Sequence, residues 1–414
     1  MPSSECRIVE LKYGENDLFR CDIEEERVVS HFQPPNEISE AEYHSEIAAA
    51  MSGPLDFPPL SQSVIPGDKV ALALEADFAD PAPIVKEVWS QLASANIQPE
   101  DVTIVQAEFP GTGTNPDPRA GLPAEIRERI VWKIHDPNDE KACRYLASAT
   151  GDERIYLAEP VVNADVVVTI GQMSFDPLLG YRGTHSVFFP GLSNKEAQDR
   201  SRGQGHRELS PENDRPMRQL IDEIGWLVGT QFTVQIIPAA NGGVAKVLAG
   251  SAESVLRAGK TLLRELWTCQ VEERPDTVVA AIKNGPHPDG WKSLGAVLGA
   301  VRNLVANGGK VLILTNLDEL PGEGVRMVRD SQEPTEAIQP LRTAASADLV
   351  TATQLAFATD WASIYLLSEL PSDLVEDLFM IPVENHREAE SVIEGEDHCV
   401  FLDSAQFVHG EICE

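Results

Sequence analysis

The chain has 414 residues, with 66 Asp and Glu against 33 Lys and Arg, so its formal net charge at pH 7 is −33. This excess of negative charge argues against a protein that binds nucleic acid or an anionic membrane, because both interactions need clustered Lys and Arg. Hydrophobic residues make up 42% of the chain, which is ordinary for a globular protein, and the length predicts two domains.

The sequence predicts a cytoplasmic protein. Residues 1–6 lack the basic and apolar segments of a signal peptide, and the longest apolar runs are too short to span a bilayer. The six cysteines lie far apart and none has C-x-x-C spacing. This pattern indicates free thiols in a reducing compartment rather than a zinc ribbon or a redox motif.

The first part of the chain alternates short apolar runs with helical patterns. Strands are predicted at 69–74, 102–105, 155–157 and 164–170, and helices at 83–95 and around 122–132. Strands alternating with helices of this length are typical of βαβ units and a mostly parallel sheet. The strand runs are continuously apolar, as expected when helices cover both faces of the sheet.

A second series of the same kind follows a long helical stretch. Helices are predicted at 251–273, 291–307, 334–346 and 350–358, and strands at 277–282, 310–314 and 363–367. We therefore expect two α/β domains with mostly parallel sheets, an N-terminal domain of residues 1–272 and a C-terminal domain of residues 273–414.

Ligands of open α/β sheets bind beyond the carboxyl ends of the strands, so the loops there are the candidates for a site. The loop after the first strand contains Glu75, Asp77 and Asp80. These carboxylates could bind a cation or act as acid/base groups. The alternative is that Asp80 caps the helix beginning near Pro83, since Asp is favoured at helix N-caps.

The loop over residues 171–186 is the most informative. It combines glycines with Asp176, Tyr181, Arg182 and His185 directly after a buried strand. Long loops in compact domains tend to be functional. Asp176 and His185 could form an acid/base couple, and Arg182 could bind a carboxylate or phosphate.

Two other polar loops give weaker signals. Residues 108–116 are rich in Gly and Thr and could cradle a phosphate, although a plain turn explains them as well. Residues 199–207 include Arg202 and His206 and could bind an anion, or could be a solvated loop.

Several short segments, taken in order and spacing, resemble one known family. They are residues 67–71, 77–81, 102–104, 164–171, 180–183, 190–191, 248–250, 257–259 and 308–311. Together they resemble the lactate racemase family, whose members use a nickel-pincer nucleotide. The resemblance implies two α/β domains with the site in the cleft between them. It also implies transient hydride transfer from the α-carbon of a 2-hydroxy acid to the pincer ring, with two histidines exchanging the hydroxyl proton.

The family's functional residues are largely replaced in this chain. In the family's Asp-x-Thr-Arg-Pro turn, Asp77 is kept but Asp80 stands where the family has Arg. In the family's Gly-Tyr-Ser-Gly-Gly-Ala-Lys loop, Tyr181 is kept but Ser186 stands where the family has the lysine that anchors the cofactor. Ser186 cannot make that covalent linkage.

The catalytic and metal-binding positions differ as well. Asp176 stands at one catalytic histidine, and residues 108–114 contain no histidine for the other. The nickel-binding histidine falls at about Arg202, and His206 matches only after a shift. Guanidinium offers no lone pair to nickel. The family's substrate-binding Gln and Lys fall near Gly295 and Leu298.

Two functional hypotheses follow. In the first, the protein is a racemase or epimerase of a 2-hydroxy acid or related small anion, with Asp77, Asp176 and His185 as acid/base residues. The residues expected to bind substrate or cofactor are then Asp80, Tyr181, Arg182, Ser186, Arg202 and His206. In the second, it is a catalytically silent, cofactor-free relative that binds a small ligand. A third alternative is a different metal bound by Asp77, Asp80 and His206.

Overall fold

The computed structural model describes residues 6–76, 80–108, 115–202, 210–283 and 290–413. The chain divides into two compact units. The first, here called the central unit, contains residues 36–239 and 243–263. The second, here called the terminal unit, contains residues 1–35, 240–242 and 264–414.

The described residues form α-helices and mostly parallel sheets, which confirms the predicted α/β class. The strands are β1 Cys6–Tyr13, β2 Asp17–Glu24, β3 Val28–Phe32, β4 Val70–Leu74, β5 Val102–Ala107, β6 Val131–His135, β7 Cys143–Ala149, β8 Glu153–Ala158, β9 Val166–Gln172, β10 Ser174–Asp176, β11 Gly180–Arg182, β12 Phe232–Pro238, β13 Val244–Gly250, β14 Thr268–Val271, β15 Thr277–Ala281, β16 Lys310–Leu314, β17 Ser363–Leu367, β18 Ile381–Val383, β19 Cys399–Leu402 and β20 His409–Ile412. The helices are α1 Glu40–Ser52, α2 Ala82–Ser94, α3 Ala124–Arg127, α4 Glu159–Val162, α5 Lys195–Arg202, α6 Pro216–Val228, α7 Ala252–Trp267, α8 Gly290–Leu304, α9 Glu323–Arg329, α10 Ile338–Ala344, α11 Leu349–Trp361, α12 Ser372–Asp377 and α13 His386–Ile393. None of these helices is long and apolar enough to cross a membrane.

The central unit is built on a six-stranded sheet in the order β13-β12-β9-β4-β5-β6, in which only β13 runs antiparallel to its neighbour. Successive side chains of β4 point to opposite faces. Leu72 and Leu74 pack in a core with α1 and α2. Ala71 and Ala73 pack in a second core that includes Ile221 of α6. Both faces are therefore buried, which explains the continuously apolar strands.

The register of this sheet brings the ends of three strands to one edge. Leu74 of β4 pairs with Ile170 of β9, and Ile170 pairs with Val234 of β12. These strands are parallel, so the residues that follow them emerge at the same edge. Glu75 follows β4, and the hairpin β10–β11 follows β9 within a few residues. This edge carries the candidate site.

The terminal unit contains a second sheet, fully parallel, in the order β18-β17-β16-β15-β19-β3. The hairpin β1–β2 covers one face, with Val9, Leu11 and Phe19 in the same core as Val279 and Phe401. The N-terminal segment therefore clusters with residues 264–414, whereas the sequence analysis divides the chain at a single point after residue 272.

Some predicted elements differ from the observed ones. The helix predicted around 122–132 is a single turn, α3, followed by β6, because β6 hydrogen-bonds along β5. The predicted strand 155–157 belongs to the antiparallel hairpin β7–β8 rather than to the parallel sheet. The helix predicted over 251–273 ends at Trp267, and the residues after it form β14, which pairs with β20.

Candidate functional site

His185 is the central titratable residue of the candidate site. It lies on a short 3₁₀ helix, Thr184–Val187, just after the hairpin β10–β11. Its Nδ1 is 3.3 Å from Oδ1 of Asp222, and its side chain is 14% exposed. Its Nε2 is buried, and nothing in the described chain hydrogen-bonds to it. If Nδ1–H donates to the carboxylate, Nε2 carries the lone pair and can accept a proton.

Helix α6 provides the space for this imidazole. A Cβ atom added to Gly225 would lie 2.2 Å from Cγ of His185. The glycine therefore lets the ring lie directly against the helix backbone. On another side the ring stacks on Phe188, with the planes 19° apart and the centroids separated by 6.4 Å. The orientation of His185 is thus determined by packing as well as by its bond to Asp222.

Arg218 holds the carboxylate partner of His185. Its Nε donates to Oδ2 of Asp222 at 2.9 Å, and its Nη1 donates to the carbonyls of Tyr181 and Gly183, both at 3.3 Å. Burial tends to raise the pKa of Asp222, but hydrogen bonds from His185 and Arg218 outweigh it and lower that pKa below its usual value. Asp222 is therefore ionised at neutral pH and can stabilise a protonated imidazole.

Arg182 forms an ion pair with Glu75. Arg182 Nε and Glu75 Oε1 are 2.5 Å apart, and Glu75 is only 5% exposed. The other oxygen of Glu75 accepts the backbone N–H of Gln172 at 2.8 Å. Gly171 permits this approach, since a Cβ there would lie 2.7 Å from the carboxylate. The positive charge of Arg182, which we predicted to bind an anion, is compensated by a carboxylate of the chain.

Asp176 and Tyr181 shape the hairpin. Oδ1 of Asp176 accepts the backbone N–H groups of Leu178 and Leu179, both at 2.8 Å, and so closes the turn between β10 and β11. Tyr181 is buried, and its hydroxyl donates to Glu212. The predicted couple was Asp176 with His185, but the carboxylate hydrogen-bonded to His185 is that of Asp222.

Ser186 and Asp80 both bond to the backbone. Oγ of Ser186 accepts the N–H of Gly183 at 2.9 Å within the 3₁₀ turn. Asp80 is exposed and accepts the N–H of Ala82, but the N-cap residue of α2 is Pro81, which makes no side-chain cap, so Asp80 is not the N-cap. Desolvation raises the pKa of Asp80 and Glu40 adds to this, while the hydrogen bond from Ala82 opposes it.

Three predicted site residues fall outside what the structure describes. Asp77 and His206 lie in the gaps 77–79 and 203–209, and only the backbone of Arg202 is described. Residues 109–114 of the Gly/Thr loop also lie outside the described residues. Within the described ranges, no group of three or more His, Cys, Asp or Glu side chains could hold a metal ion.

Two members of the site were not predicted from the sequence, and the partner of a third was predicted differently. Arg218 and Asp222 were not predicted, although they are four residues apart on a helix and of opposite charge, the spacing of an intrahelical ion pair. Glu75 was grouped with Asp77 and Asp80 as a cation ligand, but its described partner is Arg182. Tyr181 and Arg182 lie on β11, and His185 and Ser186 lie on the 3₁₀ helix that follows it.

Comparisons with known proteins agree with this architecture. Residues 13–202 match the family model described as the lactate racemase N-terminal domain. Over these residues the chain is similar to lactate racemases. A structure of the lactate racemase apoprotein from Thermoanaerobacterium thermosaccharolyticum matches it with a TM-score of 0.80 at 17% identity, covering 98% of this chain and 100% of that one.

A second solved structure, a protein from Thermotoga maritima, matches this lactate racemase-like chain with a TM-score of 0.62 at 12% identity. The match covers 92% of this chain and 100% of the other. No curated protein matches the sequence. At such low identities the two structural matches show a shared fold.

The resemblance implies a nickel-pincer nucleotide anchored through a lysine, and the geometry tests whether this lactate racemase-like chain can hold one that way. The residue at the anchoring position, Ser186, has no amine, and its hydroxyl already accepts the N–H of Gly183. The described residues therefore do not fit covalent attachment of that cofactor.

Proposed function

We propose that this lactate racemase-like protein racemises or epimerises a 2-hydroxy acid or a related small anion, with His185 accepting a proton from the substrate. One observation carries the proposal. Nδ1 of His185 is bonded to Asp222, while its Nε2 has no partner in the described chain. A histidine oriented in this way by a carboxylate is the usual arrangement of a general base.

The neighbouring charges suit this role. When Nε2 takes up a proton, the imidazolium lies against Asp222, whose pKa is lowered. Arg218 in turn fixes the carboxylate through two nitrogens and ties it to the backbone of the hairpin. The network can therefore accept a proton with little rearrangement.

The test is a chiral assay on purified protein. Cells co-expressing the proteins that make the pincer nucleotide supply the chain with any cofactor it can hold without a covalent bond. Each enantiomer of glycerate, lactate and 2-hydroxybutyrate is incubated separately, and the opposite enantiomer is measured by chiral chromatography. We expect turnover of at least one acid, and a loss of about 10²-fold or more in His185→Ala.

His398→Ala is the matched control. His398 also pairs with a carboxylate, Asp276, at 3.1 Å, but it is exposed and belongs to the terminal unit. This variant is expected to keep the wild-type rate. Equal rates in wild type and His185→Ala would refute the role of His185.

A second function, ligand binding without turnover, is favoured by Ser186. Its hydroxyl closes a backbone turn at the position where the family anchors its cofactor. In that case no acid is interconverted, but a small anion raises the melting temperature of the wild type by mass action. His185→Ala would then reduce this increase in melting temperature, and neither wild type nor variant would show turnover.

A further inference from the structure

Helix α7 lies against the hairpin of the candidate site. A Cβ added to Gly259 would come within 2.7 Å of Met173, the residue before β10. On the next residue, the ammonium of Lys260 lies 4.9 Å from the centroid of the Tyr181 ring. Both residues belong to the central unit. Lys260, half-buried, is therefore held on the same hairpin that carries Arg182 and leads to His185.

The charge of Lys260 makes a different kind of contact from the charges of Arg182 and Arg218. Arg182 is paired with Glu75, and Arg218 is paired with Asp222. Lys260 contacts the face of an aromatic ring, and no carboxylate in the described ranges forms an ion pair with it. In a chain with 66 acidic and 33 basic residues, a half-buried ammonium beside a polar site without a carboxylate partner is unusual.

An aromatic face attracts a cation but leaves its hydrogen-bonding capacity unused. The ammonium group has three N–H donors and no acceptor, so a bound anion can still be coordinated. A carboxylate would meet a positive charge that no carboxylate of the described ranges neutralises.

The same site connects Lys260 to the proposed base. Tyr181, whose ring contacts Lys260, accepts a hydrogen bond from Arg218 at its backbone carbonyl. Arg218 also donates to the carboxylate of Asp222, which is hydrogen-bonded to His185. A continuous set of contacts thus runs from the ammonium of Lys260 to the imidazole of His185.

We propose that Lys260 binds the carboxylate of the ligand, with Tyr181 as the platform that holds its side chain. The inference rests on the proposed function for the class of ligand, a 2-hydroxy acid or related small carboxylate. It adds a binding residue on α7 that contributes charge recognition, separate from the proton chemistry of His185.

The test compares a charged ligand with a neutral isostere. Binding of lactate and of lactamide, in which an amide replaces the carboxylate, is measured by calorimetry on wild type, Lys260→Met and Lys260→Arg. We expect wild type to prefer lactate, and Lys260→Met to lose affinity for lactate by about tenfold or more. Lys260→Arg keeps the charge and should retain part of the affinity.

Lys246→Met is the control, because Lys246, on β13, forms an ion pair with Glu46 on α1. It should bind lactate as wild type does. Equal binding of lactate by wild type and Lys260→Met would overturn the proposal, as would the absence of carboxylate binding by wild type. So would an equal loss of lactate binding in Lys260→Met and Lys260→Arg, which would indicate a packing role.

The outcomes also separate this inference from the proposed function. Carboxylate binding that depends on Lys260 without any turnover supports the binding role and contradicts racemisation. Turnover that depends on His185 but is unchanged in Lys260→Met supports racemisation and overturns the role of Lys260.

Discussion

The two nitrogens of His185 lie in different surroundings, and this difference defines what the residue can do. Nδ1 is engaged by Asp222, while Nε2 is buried without a hydrogen-bond partner in the described chain. A buried polar atom without a partner costs free energy, so its presence in a folded protein needs a reason. A ligand that supplies a hydrogen to Nε2 would remove that cost.

At the residue scale, we predict that Asp222→Asn changes the pH dependence of stability. The pKa of Asp222 is lowered in the folded state, so its stabilisation is present above the unfolded-state pKa, near 3.9, and is lost as pH falls through the folded-state pKa. The variant should therefore be less stable than wild type at neutral pH, and the difference should shrink below about pH 4. Urea unfolding between about pH 3 and pH 7 measures this.

Asp377→Asn serves as the comparison, because Asp377 also pairs with an arginine, but that arginine, Arg329, is 46% exposed whereas Arg218 is 10% exposed. Exposed pairs contribute little to stability, so this variant should differ little from wild type at any pH. A difference between Asp222→Asn and wild type that stays constant from neutral to acid pH would contradict the assigned ionisation of Asp222.

At the element scale, the candidate site depends on how α6 lies against the segment after β11. Arg218, Asp222 and Gly225 fall on one face of α6 because residues three and four apart are neighbours on a helix. Arg218 and Asp222 are charged, and Gly225 leaves space for the imidazole of His185. Arg218 also donates to two backbone carbonyls, that of Tyr181 in β11 and that of Gly183 directly after it.

We predict that Gly225→Ala destabilises the protein. Within a helix, Ala is favoured over Gly by about 1 kcal/mol, so propensity alone would predict a gain in stability. The added methyl would lie 2.2 Å from the ring of His185, and overpacking of this kind costs about 1–3 kcal/mol. Thermal unfolding should show a lower melting temperature, and activity or ligand binding should fall as in His185→Ala.

Gly299→Ala on α8 provides the control for helix propensity. A Cβ there would meet the end of the Gln354 side chain at 3.2 Å, and that flexible chain can move aside. This variant should be as stable as wild type or more so. A melting temperature of Gly225→Ala at or above the wild-type value would show that His185 is not held against the helix backbone.

At the scale of the whole molecule, the relevant property is the net charge of −33. Excess charge of one sign destabilises a compact state by self-repulsion. Raising the salt concentration from about 0.1 M to 1 M shortens the Debye length from about 10 Å to about 3 Å and screens that repulsion. We therefore predict that the melting temperature rises with KCl concentration over this range at pH 7.

The same titration at about pH 5 separates charge screening from other effects of salt. Part of the carboxylates are protonated there, so the repulsion is weaker and the increase in melting temperature per mole of salt should be smaller. An equal increase at both pH values would mean that salt acts through burial of apolar surface instead.

The sequence by itself determined the class of fold, and it predicted the segment on which the candidate site lies. The apolar runs that became β4, β9, β15 and β16 are readable because burial on both faces of a parallel sheet leaves a continuous apolar signal. The prediction of a helix around 122–132 was wrong because the pairing of β6 with β5 overrode a local helical pattern. The prediction that 171–186 carries the site rests on its length and polar content.

Only the tertiary structure decided which of these polar residues act together. His185 and Asp222 are 37 positions apart, so neither periodicity nor spacing encodes their contact, whereas the spacing of Arg218 and Asp222 on α6 is that of an ion pair. Likewise Glu75 reaches Arg182 because β4 and β9 are neighbours in the sheet. Charge pairing depends on distances of a few ångströms between distant segments. Those distances are set by the packing of helices and strands, which a local pattern does not contain.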